Sequence, residues 1–132
     1  MTPGTASENL IHASTVRNTP VFTIDGDRIG HVEDISIEKL SGEVAYAVLA
    51  AGGFLGLGEK LYPVPWSILK YDASLNGYVV PLSKDRLKDA PSYEREELAD
   101  AGGSDLGYRE PVYGYYGPFG AQPFWGGAIG RG

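Results

Sequence analysis

Pro20-Val21-Phe22-Thr23-Ile24-Asp25-Gly26-Asp27-Arg28-Ile29 is the stretch whose reading decides the fold. A short apolar run meets Asp-Gly, and apolar residues resume directly after it. Glycine accepts positive φ without steric cost, so Asp-Gly between apolar runs predicts a hairpin turn. Past the turn, Arg28 to Lys39 carries Ile29, Val32, Ile35 and Ile37. Ile29, Ile35 and Ile37 keep a two-residue alternation, which is the strand period. Val32 breaks it, and a bulge near Gly30-His31 accounts for the break.

Working outward, the same punctuation recurs. Leu40-Ser41-Gly42-Glu43 reads as a turn. Val44 to Ala51 is apolar throughout, as expected of a central strand covered on both faces. Lys60 to Val64 resumes a strand, and Pro63 places it at an edge or a bulge because proline has no N–H for a ladder. Pro65 to Leu69 reads as a tight turn holding Trp66 as a core anchor. Tyr71-Asp72 and Tyr78-Val79-Val80 flank a second hairpin turn ending in Asn76-Gly77. Ser83 caps a short helix running to about Lys88, and Pro91 stops it.

Short strands at close spacing predict an all-β chain, a small antiparallel β-barrel with a short C-terminal helix and flexible tails. We divide it into a flexible N-terminal tail at 1–11, a barrel at 12–93, and 94–132. That last part is a charged segment followed by an aromatic tail rich in Gly, Tyr and Pro. Pro111, Pro118 and Pro123 argue against regular helix there.

Composition narrows the function. The chain has 132 residues and a formal net charge of -6. A negative surface repels phosphate backbones, so nucleic acid is not an expected partner. Cysteine is absent, which removes disulfides, thiolate catalysis and Cys-based metal sites. No stretch approaches the ~20 apolar residues of a spanning helix. Residues 1–14 lack the basic start and apolar run of a secretory signal. A cytoplasmic location is the expectation.

Candidate chemistry is sparse. Gly52 to Lys60 is glycine-rich, but Glu59 separates Gly58 from Lys60 and a strand follows, which breaks the phosphate-loop pattern. Asp25 and Asp27 sit in a predicted turn, where Asp bonds the backbone. Glu33 and Asp34 show no pocket pattern, and His12 and His31 have no second ligand at helical spacing. No serine sits in a nucleophile elbow. We therefore expect no enzyme, no cofactor and no metal. Contact surface is better supplied. Phe54, Leu55 and Leu57 form an apolar loop tip, which either marks a contact site for a second copy or the aromatic tail, or simply caps the barrel end. Tyr113, Tyr115, Tyr116, Phe119, Phe124 and Trp125 give the tail aromatic area. That tail folds back on the barrel, inserts into a partner, or sits at a membrane interface, the last disfavoured by its scarcity of basic residues.

Several segments together resemble the PRC-barrel family. They are Ile11 to Val16, Gly26 to Asp34, Gly52 to Lys60, Val64-Pro65-Trp66 and Asp89 to Tyr93, spanning roughly residues 12–93. Tyr115-Tyr116-Gly117 resembles the tails of stand-alone bacterial members. The family includes the cytoplasmic domain of the photosynthetic reaction-centre H subunit. It also includes the C-terminal half of a ribosome maturation factor that binds a small-subunit protein. The resemblance implies a compact barrel used as a docking surface. The expected function is non-catalytic protein binding with self-association, a homodimer included. The alternative is a membrane-peripheral accessory protein of electron transport, like the H subunit, in which Glu33 would help carry protons. We expect neither a spanning helix nor a second domain ahead of the barrel. Asn18 replaces a glycine usual in the family.

Overall fold

A computed structural model describes residues 10–52, 58–97 and 109–123. Helix α1 (Ala13–Val16) leads into strands β1 (Pro20–Phe22), β2 (Arg28–Ile37), β3 (Val44–Ala51) and β4 (Lys60–Pro65). A 3-10 turn at Trp66–Ile68 connects β4 to β5 (Lys70–Asp72), and β6 (Gly77–Val79) follows. Helices α2 (Lys84–Lys88) and α3 (Arg109–Tyr116) complete it, with a 3-10 turn at Gly117–Phe119.

The expected turns form for local reasons. Thr23 N–H donates to Asp27 C=O at 2.8 Å, and Gly26 takes φ 92°. The Thr23 hydroxyl, buried, accepts from the N–H groups of Asp25 and Asp27, each at 3.2 Å. Ser83 caps α2 by accepting from Arg86 N–H at 3.3 Å.

The strands of the described residues join one six-stranded sheet in the order β4-β3-β2-β1-β6-β5. β3 is an interior strand, second from one end, and is buried beyond its first residue. Ile29, Val32 and Ile35 all reach the core three residues apart, because two bulges each insert one residue. β1 pairs Gly30 and then Arg28, skipping Ile29. β3 pairs Val32 and then Asp34, skipping Glu33. The bulges thus bracket the expected site at Gly30-His31. Gly30 lies so close to β3 that a Cβ there would sit 2.0 Å from the Ala50 carbonyl oxygen.

Three expectations are corrected. The sheet is mixed, since β1 and β6 run parallel. β1 takes β2 on one side by a hairpin, and the chain returns to its other side only after β3, β4 and β5. Secondly, the hydrogen-bonded ladder does not close, and β4 and β5 are its ends. The sheet is nonetheless strongly curled. Pro65 and Lys70 are five residues apart, a reach of about 17 Å, whereas edge strands of a flat six-stranded sheet stand about 24 Å apart.

Thirdly, prolines do not bar a helix in the tail. Pro111 is the third residue of α3, where its missing N–H has no intrahelical partner to lose. Pro118 falls after the helix, in the 3-10 turn. An eight-residue helix is unstable alone. α3 is held by Val112 and Tyr116, an i,i+4 pair with no exposed surface that joins the same core as Val21, Val32, Leu49 and Val64. The fold therefore continues past residue 93, the boundary expected for the barrel.

Candidate interaction surface

The two ends of the sheet differ in what their backbones offer. At β4, Leu61 N–H donates to Tyr93 C=O at 3.0 Å, and Tyr93 N–H donates back at 2.8 Å. Leu61 therefore faces outward, and by strand alternation so do Pro63 and Pro65. Neither proline has an N–H, so the outer edge of β4 lacks two donors. Charges strap the Tyr93 segment down. Arg95 meets Glu33 at 3.0 Å and Glu59 at 4.0 Å, and Lys60 meets Glu94 at 3.6 Å. His31 Nε2 lies 3.2 Å from the other Glu33 oxygen. The Arg95 guanidinium holds the Glu33 carboxyl below its usual range, with His31 assisting and partial desolvation opposing.

At β5 the geometry is opposite. Val80 N–H donates to Phe22 C=O at 3.0 Å, so β6 turns that residue toward β1. Alternation turns Val79 toward β5, where it pairs with Lys70. Tyr71 then points its N–H and C=O off the sheet. Among the described residues nothing bonds either group. The ring of Tyr71 rests on Tyr78 at 5.2 Å and is 50% exposed. The β5–β6 turn is well made: Asp72 accepts from Ser74 N–H at 2.9 Å, and Asn76 adopts φ 50°.

Beside β5 lies an apolar cleft of about 290 Å³, lined by Ile24, Ile68, Val79, Pro81 and Phe119, with Lys70 and Ser67 at its polar margin. Ile24 is exposed. Ser67 fixes one wall: its hydroxyl accepts from Gln122 N–H at 2.8 Å and donates to Gln122 C=O at 3.2 Å. Phe119 is held under the Arg86 guanidinium at 5.9 Å, and the Tyr115 hydroxyl donates to the Arg86 carbonyl.

The residues expected to make contacts are distributed unevenly. Phe54, Leu55, Leu57, Phe124 and Trp125 lie outside the described residues. Tyr113, Tyr115 and Phe119 are half-buried against the core. Tyr116 is buried completely, and burial pushes its phenol well above its ordinary range. For residues 109–123, fold-back on the sheet is what the structure has. Trp66 packs partly buried against the core, 5.3 Å from Tyr78. His12, Asp25, Asp27 and Asp34 are exposed, Asp27 lies 3.7 Å from Lys84, and among the described residues His31 pairs with Glu33. Among the described residues no three His, Asp or Glu gather as a metal site. No helix among them is long and apolar enough to cross a membrane.

Residues 8–87, which carry the six strands, match the PRC-barrel domain model. The chain belongs to the PRC-barrel domain family. A relative from Deinococcus radiodurans, described as an uncharacterized protein, is 32% identical over 76 residues. That match covers 58% of this chain and 27% of the relative, so this PRC-barrel chain spans about a quarter of that protein's length.

Sequence reading missed the residues that organise both ends of this PRC-barrel sheet. Ser67 and Arg86 carry no motif, since their partners, the main chain of Gln122, the Tyr115 hydroxyl and the Phe119 ring, are reached only by folding. Arg95 sits in a run of charges whose pattern does not single it out. The signal available for β5 was its alternation of Lys70, Tyr71 and Asp72 beside a strand barred by two prolines.

Proposed function

We propose that this PRC-barrel domain is a non-catalytic docking module that binds protein at the β5–β6 end of its sheet. The observation that carries the reading is the free main chain of Tyr71 on an edge strand. A free edge is a template for a further strand. The exposed Ile24 and the apolar cleft next to it supply side-chain contact beside that edge. The carboxylates and histidines support the reading from the other side. Glu33 and His31, the pair nearest to acid–base geometry, are engaged with Arg95 in strapping Tyr93 to β4.

A photo-crosslinking residue placed at Ile24 or Lys70, with Asp85 on α2 as the control, tests this in living cells. Discrete protein adducts from positions 24 and 70, absent from 85, are the expected result. Equal labelling at all three positions, or turnover of a small substrate by the purified chain, would defeat the proposal.

A further inference from the structure

We infer that the protein docked on β5 is a second copy of this chain, joined antiparallel about a two-fold axis at Tyr71. The inference rests on the docking reading and adds the identity of the partner and the register. Tyr71 is the β5 residue whose N–H and C=O both leave the sheet, as the Lys70–Val79 and Asp72–Gly77 pairings require. Placing two copies of Tyr71 opposite each other satisfies all four groups with two reciprocal hydrogen bonds. Six strands in each copy then become one continuous sheet.

The side chains select that register. With Tyr71 on the axis, Lys70 of each copy stands directly across from Asp72 of the other. Opposite charges directly across an antiparallel pair stabilise it, and like charges oppose it. The tripeptide Lys70-Tyr71-Asp72 is therefore self-complementary under a two-fold, which is the requirement of an isologous interface. Sliding the strands by two residues forfeits both ion pairs. The same antiparallel direction carries the exposed Leu75 of each copy toward Ser67 and Ile68 of the other, at the margin of the apolar cleft. A protruding leucine and an apolar hollow are thus brought together twice.

Assembly stops at two. The other end of the sheet is occupied by the Leu61–Tyr93 bridge and lacks donors at Pro63 and Pro65. One open edge among the described residues, used up by a two-fold, gives a closed dimer and no filament.

Sedimentation of the full chain over a range of concentrations is the test. The expected species has twice the 14.1 kDa chain mass. Lys70→Glu places a carboxylate across from Asp72 at both ends and should weaken the dimer at least about tenfold, with a thermal melt that matches wild type at concentrations where both are monomeric. Tyr71→Cys is a second probe in a chain without cysteine. The two Cα atoms of such a pair lie about 5.5 Å apart, within disulfide range, so mild oxidation should give a covalent dimer. Leu40→Cys, on the exposed β2–β3 turn, should not. A monomer at every concentration overturns the inference, while adducts of other masses from positions 24 and 70 would leave the docking reading standing. A dimer that ignores Lys70→Glu and fails to cross-link at position 71 also overturns it.

Discussion

β4 and β5 follow one another in the chain, separated only by the Trp66–Ile68 turn, yet they end the sheet in opposite conditions. β4 is buried along five of its six residues, lacks donors at two outward positions, bonds Tyr93 and packs beneath α3. β5 has three residues, of which two are exposed, and a main chain at its centre that is unpaired among the described residues. Proteins ordinarily blunt sheet edges with proline, charge or a covering element. This chain uses all three at β4. The contrast teaches that edge protection is applied where the strand also carries core side chains. There, any foreign strand would compete with folding itself.

The largest expected effect measures that contrast directly. Tyr62→Ala on β4 removes a buried ring and should lower stability by about 3–5 kcal/mol. Tyr71→Ala on β5 should cost no more than about 1 kcal/mol. Urea melts of both variants, at a concentration where the chain is monomeric, check the pair. Equal losses would erase the distinction between the ends.

Next in size is the anchor beside the cleft. Ser67→Ala removes both bonds to Gln122 and should cost about 1–2 kcal/mol. It should also raise amide exchange at Gln122 more than at Leu61. Uniform change at both sites would mean that the tail and β4 open together.

Acid probes the strap over β4. Glu33 has a folded-state pKa below its ordinary value of 4.5. Its contribution is therefore complete above that ordinary value and disappears as pH falls through the lower folded value. Glu33→Gln should flatten this part of the stability-versus-pH curve and leave the curve above pH 6 parallel to wild type. Amides of Tyr93 and Leu61 should lose protection first in acid, before those of β5–β6.

The smallest effect has the opposite sign. The Tyr116 hydroxyl, at the end of α3, is buried without a hydrogen-bond partner among the described residues. Tyr116→Phe removes that unsatisfied group and keeps the ring, so stability should hold or rise by up to about 1 kcal/mol. A clear loss would show that the hydroxyl has a bonded role.

Much of the framework was legible before the structure. The turn at Asp25-Gly26, the Asn76-Gly77 turn, the Ser83 cap, the buried Val44–Ala51 strand and the edge position of the Pro63 strand all rest on local rules. A missing N–H, a positive φ or a side-chain cap acts within a few residues, so it can be read from a few residues. The tail misled for a related reason. Three prolines suggested that no helix forms, but proline harms a helix by its position, and Pro111 falls in the first turn. The contact residues were only partly legible: Tyr116 looks like any other aromatic in the tail, and Val112–Tyr116 spacing shows its buried face only once β4 lies against it.

The sequence by itself placed the strands to within about two residues at their ends, marked the Pro63 strand as an edge or a bulge, and carried the family resemblance that the domain match bears out. Tertiary structure alone decided that β1 and β6 run parallel, that the ladder stays open, that the tail supplies core, and that Tyr71 turns its backbone outward. These depend on which strands become neighbours. Neighbourhood is set by long-range packing and chain reach, whose energies belong to pairs of distant residues and leave no mark within either segment.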